Sequence, residues 1–243
     1  MIERSLFLQL TRWQLPCFPT GKREMMTPRI PYRNRSEAGR SLAGELMDYR
    51  ARPGVLLLGV ATGGVPVADE VASALEAPLE ALVVRKLEAP SEPGLTMGAI
   101  GPEGIQVLDQ DLIRALGISK AAVESVVRRE SAELERCQTL YGGLRVNWKN
   151  RTVIVIDDAA ETGWTMLAAL HFARKHAPHE IVAACPVASS DALERFRHEA
   201  DGSVCLAIRE VFASVTDWYW SFPPTTESDV VRLLERRRSQ ANE

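Results

Sequence analysis

Between Val153 and Met166 the chain reads VIVIDDAAETGWTM. Four β-branched residues run into two adjacent carboxylates, Asp157 and Asp158. A turn with Glu161, Thr162, Gly163, Trp164 and Thr165 then leads into the helix-like run TMLAALHFARKH. The apolar run predicts a buried strand, and the turn predicts a helix start. A helix start offers free backbone N–H groups and a favourable dipole, and with the hydroxyls of Thr162 and Thr165 these make a cradle for a phosphate. Two carboxylates are unsuited to holding phosphate. They suit hydrogen bonds from vicinal hydroxyls, or the outer shell of a metal. Phosphate beside a diol describes ribose 5-phosphate. The bland alternative is a strand whose exposed end carries charges, with Thr and Gly merely starting a helix.

Two other strand ends carry unusual chemistry. GVLLLGV, a continuous apolar run at 54–60, ends in Ala61-Thr62 and then Gly63-Gly64, which can bring bare N–H groups close to an anion. LEALVV at 79–84 delivers Arg85 and Lys86. In an open parallel sheet, ligands bind outside the carboxyl ends of the strands, so these ends belong together. The sequence has no GxxxxGK[ST] and no GxSxG, which leaves a Walker-type nucleotide site and a serine hydrolase unsupported.

The elements that must position these residues alternate along the chain. A helix is expected over 36–50 with Ser36 as its N-cap, another over 67–76, and strands over 55–60 and 79–84. LEAPSEPGLTMG, with Pro90, Pro93 and Gly94, reads as a long surface loop. A small hairpin turning at 102–104 follows, then a short helix at 109–117 and a long one over 119–141 that stops at Gly142-Gly143. Strands at 151–158, 180–188 and 202–208 then alternate with helical runs, and an aromatic segment with Trp218, Tyr219, Trp220 and Phe222 precedes a last helix. Such alternation predicts an α/β fold with a doubly wound, mostly parallel sheet flanked by helices. We expect a flexible N-terminal extension over 1–31, its first 24 residues following a mis-called start, and one domain over 32–243.

Composition bounds the function. The chain has 243 residues, 46% hydrophobic and 25% charged, with a net charge of −3, so no basic field points to nucleic acid. ERRRS near the end reads as the solvated last turn of a helix. Four cysteines without CxxC spacing fit a reducing cytosol, hence a cytoplasmic protein, and argue against a zinc site. No apolar stretch approaches the roughly 18 residues of a membrane span, so no membrane partner is expected.

On GGVPVADEVASAL, APLEALVVRKL, MGAI and VIVIDD…TGWTM, in that order, the chain resembles the type I phosphoribosyltransferase family over residues 32–237. More narrowly, it resembles a bacterial branch sometimes fused to hydrolase domains. The resemblance implies a glycosyltransferase of nucleotide metabolism that moves ribose 5-phosphate from phosphoribosyl pyrophosphate to an acceptor such as a nucleobase. Mg²⁺ would be carried by the pyrophosphate, with no metal ligand on the protein. Asp157 and Asp158 would hold the ribose hydroxyls, and residues 161–165 would hold the 5-phosphate. Thr62, Gly63, Gly64, Arg85 and Lys86 would face the pyrophosphate, with 88–97 as a lid. The aromatic cluster would stack a flat base or simply pack as core. Relatives have Pro-Arg where this chain has Ala61-Thr62, small residues where it has Glu161 and Trp164, and a lid acid where it has Gly94. These departures keep a second reading open, a catalytically weak or inactive homologue that binds a nucleotide or phosphoribosyl pyrophosphate. A third is a structural subunit whose long 119–141 helix packs in a homo-oligomer.

Overall fold

The computed structural model describes residues 30–240 except 211 and 213. In chain order the strands are β1 (Val55–Ala61), β2 (Leu79–Val83), β3 (Arg85–Ala89), β4 (Glu92–Ile100), β5 (Gln106–Leu108), β6 (Thr152–Ile156), β7 (Glu180–Ser189) and β8 (Gly202–Arg209). The helices are α1 (Arg35–Glu45), α2 (Gly64–Leu75), α3 (Gln110–Ala115), α4 (Lys120–Leu140), α5 (Trp164–Lys175), α6 (Ser190–Phe196) and α7 (Glu227–Gln240). Five strands form a wholly parallel sheet in the order β2-β1-β6-β7-β8, and the other three form a small antiparallel sheet, β3-β4-β5.

The continuous apolar runs follow from a sheet covered on both faces. Successive side chains of a strand point to opposite faces, and β1 divides its residues accordingly. Val55 and Leu57 pack with α1, α2 and α7, whereas Leu56, Leu58 and Val60 pack with α5 and α6. β6 splits the same way, Ile154 and Ile156 to the first layer and Val153 and Val155 to the second. Gly59 lies opposite Ala81 on β2 and opposite Ile156 on β6. The chain leaves β1 towards β2 on one side and later returns to pair β6 on the other. The crevice at their carboxyl ends is therefore the switch point where such sheets bind ligands.

The structure revises four local expectations. The first helix ends at Glu45, with a 3-10 turn at Met47–Tyr49, and Asn34 rather than Ser36 caps it by accepting from Glu37 N at 3.0 Å. The segment read as a surface loop is instead the β3–β4 hairpin. Leu87, Ala89, Met97 and Ala99 are all buried, so the breakers mark only its exposed tip. α2 begins at Gly64, three residues before the expected run. The terminal arginines are not simply solvated: Arg237 Nε donates to Asp69 Oδ1 at 2.7 Å and Arg236 pairs with the same buried carboxylate, docking α7 on α2. The extension expected over 1–31 lies outside the described residues, apart from Ile30 and Pro31. No helix among the described residues is long and apolar enough to cross a membrane.

Ile154 is fully buried at the centre of the sheet. We predict that Ile154→Ala costs about 3 kcal/mol in urea unfolding; a loss below about 1 kcal/mol would show that this layer is not close-packed.

Candidate active site

A pocket of about 630 Å³ opens at the carboxyl ends of β1, β2 and β6. Its lining includes Thr62 and Gly63 after β1, Arg85 and Lys86 after β2, Asp157 and Asp158 after β6, and then Glu161, Thr162, Gly163 and Thr165. The expected site residues among these, from Thr62 to Thr165, meet here because the parallel register brings three strand ends level.

Two expected site residues do not line it. Gly64 lies under the floor, where an added Cβ would come within 2.5 Å of the Ile156 carbonyl oxygen and 2.9 Å of Asp157 Cα. Its missing side chain lets α2 approach the end of β6, which is a packing need. Trp164 turns away from the pocket and packs in the layer formed with α5 and α6. The Arg195 guanidinium sits 4.3 Å over its ring and also bonds the Thr162 carbonyl, so the tryptophan buttresses the turn and does not crowd it.

The turn between β6 and α5 is tied to the neighbouring strand. Ala160 N donates to Val187 O at 2.9 Å, Ser189 N donates to Ala160 O at 2.9 Å, and Ser189 Oγ donates to Glu161 O at 2.6 Å. Gly163 takes φ 77°, the left-handed region, against the backbone of Ala192, so this position needs glycine. No side chain caps α5, so the N–H groups of its first turn, which begins beside the pocket-lining Gly163 and Thr165, have no side-chain acceptor. The arrangement can take an anion at the helix mouth.

The two acids differ. Asp157 is buried, accepting from Asp158 N at 2.9 Å and from Thr165 Oγ1 at 3.2 Å. Burial first, and then the charge of Asp158, push its carboxyl well above the ordinary carboxylate range. Asp158 accepts from Arg35 Nε at 2.7 Å through Oδ2, while no hydrogen bond reaches its Oδ1 among the described residues. Its backbone carbonyl accepts from the Tyr219 hydroxyl at 2.7 Å. Burial, and then the nearby Asp158, hold that phenol far above its usual range, so it remains a neutral donor.

On the opposite wall Arg85 is engaged by the buried Glu130 of α4, with Nε to Oε2 at 3.0 Å, and Arg129 Nε also reaches Glu130 at 3.0 Å. Lys86 is exposed and makes no ion pair among the described residues. Of the aromatic cluster, Trp218 and Tyr219 are buried, Trp220 is 80% exposed, and only Phe222 lines the pocket. Half of that cluster is thus packing. Glu133, Cys137 and Glu227 offer metal-type ligand atoms within 4.8 Å of one another, but Arg136 bonds both carboxylates and fills the role of the cation.

Arg35, Arg129, Glu130, Tyr219 and Phe222 extend the site beyond the residues singled out in sequence as its ligand-holding set. Arg35 meets Asp158 across 123 positions, and nothing in its local pattern marks it out from the chain's other arginines. Glu130 carries a weak signal, as an acid on the mostly apolar buried stripe of α4.

The model of the phosphoribosyl transferase domain family matches residues 32–221. Two curated proteins of Mycobacterium tuberculosis, from strains CDC 1551 and H37Rv, carry phosphoribosyl transferase in their names. Each is 40% identical over 205 residues, 84% of this chain and 46% of theirs, so the chain spans about half the length of these relatives. The crystal structure of TT1426 from Thermus thermophilus is similar with a TM-score of 0.67 and 34% identity, covering 85% of this chain and 99% of that one.

The raised carboxyl of Asp157 has a consequence for stability. The folded protein binds that proton more tightly than the unfolded chain does, so stability falls as pH climbs from about 4, the unfolded value, through the raised folded value. Asp157→Asn is predicted to raise the melting temperature by about 3 °C or more at pH 8, with a smaller gain at pH 5. A melting temperature lowered at pH 8 would mean that the carboxylate is stabilised where it stands.

Proposed function

Since the chain belongs to the phosphoribosyl transferase family, we propose that it binds phosphoribosyl pyrophosphate and transfers its ribose 5-phosphate to an acceptor, with loss of pyrophosphate. The observation that carries this reading is the meeting, in one pocket, of an uncapped helix start, a pair of acids and a cationic wall. The first suits a terminal phosphate, the second a diol and the third a polyanionic leaving group.

In the proposed reaction the bond from C1 of the ribose to pyrophosphate breaks, and an acceptor atom with a lone pair bonds to C1. C1 gains positive charge as the leaving group gains negative charge. Catalysis is then a matter of position and charge. The backbone from Gly163 to Thr165 and the two threonine hydroxyls fix the phosphate end. Asp158 Oδ1 accepts from the ribose hydroxyls and places negative charge beside the cationic ring, and the buried Asp157 braces it by accepting from Asp158 N. Lys86 and Arg85 meet the leaving group.

The donor set suits Mg²⁺ carried by the ligand rather than held in a protein cage. Magnesium is commonly bound by one or two carboxylates together with phosphate oxygens, and here Asp157 and one oxygen of Asp158 already accept protein hydrogen bonds. When bound, the ion supplies charge neutralisation on the pyrophosphate.

A second reading, binding without transfer, is favoured by the cations themselves. Arg35, Arg85 and Arg129 are each paired with an acid, and Thr62 adds no charge to the glycine turn. Lys86 alone among the described pocket cations is free to neutralise a leaving group. Pyrophosphate release from phosphoribosyl pyrophosphate over a panel of nucleobases, measured beside calorimetric binding, separates the two. Release supports transfer, and binding without release across the panel supports the second reading.

Both readings place a sugar phosphate on the acid pair. Asp157→Asn combined with Asp158→Asn is expected to weaken ribose 5-phosphate binding by about 100-fold with the fold intact by circular dichroism. An affinity equal to wild type would remove the sugar from these residues.

A further inference from the structure

Arg35 is the best-held side chain in the pocket. It stands at the first turn of α1 with its side chain 11% exposed, beside an Asp158 side chain 14% exposed. Its Nε donates to Asp158 Oδ2 at 2.7 Å, its Nη1 donates to the Pro223 carbonyl at 2.6 Å, and its guanidinium lies 3.6 Å over the centre of the Phe222 ring. The segments that carry these partners are themselves paired: Tyr32 N donates to Trp218 O at 2.8 Å, Trp220 N to Tyr32 O at 2.8 Å, and Ser221 N to Arg33 O at 3.0 Å. The chain entering α1 and the aromatic segment leaving β8 therefore form one strap, which touches Asp158 twice: Tyr219 bonds its backbone carbonyl, and Arg35 bonds its carboxylate.

The charges explain why a cation belongs there. Two adjacent carboxylates at the end of a buried strand repel each other and any phosphate brought nearby. A guanidinium on Asp158 sets one positive charge against the acid pair. The planar group stacked on Phe222 is fixed in orientation, so it takes one oxygen of Asp158 and leaves the other without a protein donor.

We infer that Arg35 is a positioning residue: clamped by Phe222 and Pro223, it holds the Asp158 carboxylate by Oδ2 with Oδ1 free to accept from the ribose, and it makes that geometry depend on the strap between residues 32–35 and 218–223. This deepens the proposed function and rests on it for the identity of the ligand, but its electrostatic half needs no ligand. The other groups that act on the acids are Lys86 from β3, Thr165 from α5, Tyr219 from the strap, and Cys185, with its neighbour Cys205, from β7 and β8. Of these only Lys86 is a cation, and it remains in place in the variants below.

The test compares wild type, Arg35→Gln and Arg35→Lys. First, ¹³C NMR follows the carboxyl titration of Asp157 and Asp158 without ligand. Arg35→Gln is expected to move the titration of the pair upward by about one pH unit or more, and Arg35→Lys to return most of the shift. Second, calorimetry with ribose 5-phosphate is expected to show about tenfold weaker binding for Arg35→Gln, a weak-binding limb displaced to higher pH, and affinity within about threefold of wild type for Arg35→Lys. A titration unmoved in a folded Arg35→Gln variant overturns the inference, as does a lysine variant that titrates like glutamine. Wild type that binds no ribose 5-phosphate, while the titration still shifts, overturns the sugar-holding half together with the proposed function and leaves the charge argument standing alone.

Discussion

A carboxyl group brought to the end of a fully buried strand loses most of its water, and the surrounding structure must replace what the water did. Asp157 is in that position. Its compensation comes from Asp158 N, the Thr165 hydroxyl and the Lys86 charge, while Asp158 beside it is answered by Arg35. These groups come from α1, β3, the end of β6 and α5. The acid pair is thus the point on which the two halves of the sheet, the strap and the α5 turn converge. Each of them is constrained by having to arrive there.

The same constraint explains the division of labour around the pocket. The turn before α5 is fixed from the side of β7 by Ser189 and from the side of α6 by Arg195, which stacks on Trp164, and its inward face presents Glu161, Thr162, Gly163 and Thr165 to the pocket. The opposite wall is built from an insert between β2 and β6, where α4 presents Glu130 to Arg85. One wall is a turn tied to its neighbouring strand, and the other is made of exposed or half-exposed cations, two of them held by a buried acid. A ligand with a compact phosphate at one end and a larger polyanion at the other fits that asymmetry.

Much of this is legible in the chain because the relevant signals are local. The apolar runs at 55–60 and 153–156, the acids after the second, and the Thr-Gly turn are each contained within a few residues, and a parallel sheet brings strand ends together by topology alone. The doubly wound fold follows on those grounds. What stays hidden is long-range or conformational. Arg35 gains its meaning only from Asp158, Phe222 and Pro223, and Trp164 looks like an obstruction until Arg195 is seen to draw it outward. The 87–98 segment reads as a loop because Pro90, Pro93 and Gly94 outweigh the alternation of Leu87 and Ala89 on one side and the short buried run from Thr96 on the other.

The account stands on a sugar phosphate seated with its phosphate on the mouth of α5 and its diol on the acids. Backbone ¹H–¹⁵N spectra recorded during a ribose 5-phosphate titration examine that seat directly. The amides of Gly163, Trp164 and Thr165 should move furthest, in step with that of Asp158, and saturate at a single affinity. Saturable binding that leaves those four amides unmoved would contradict the account.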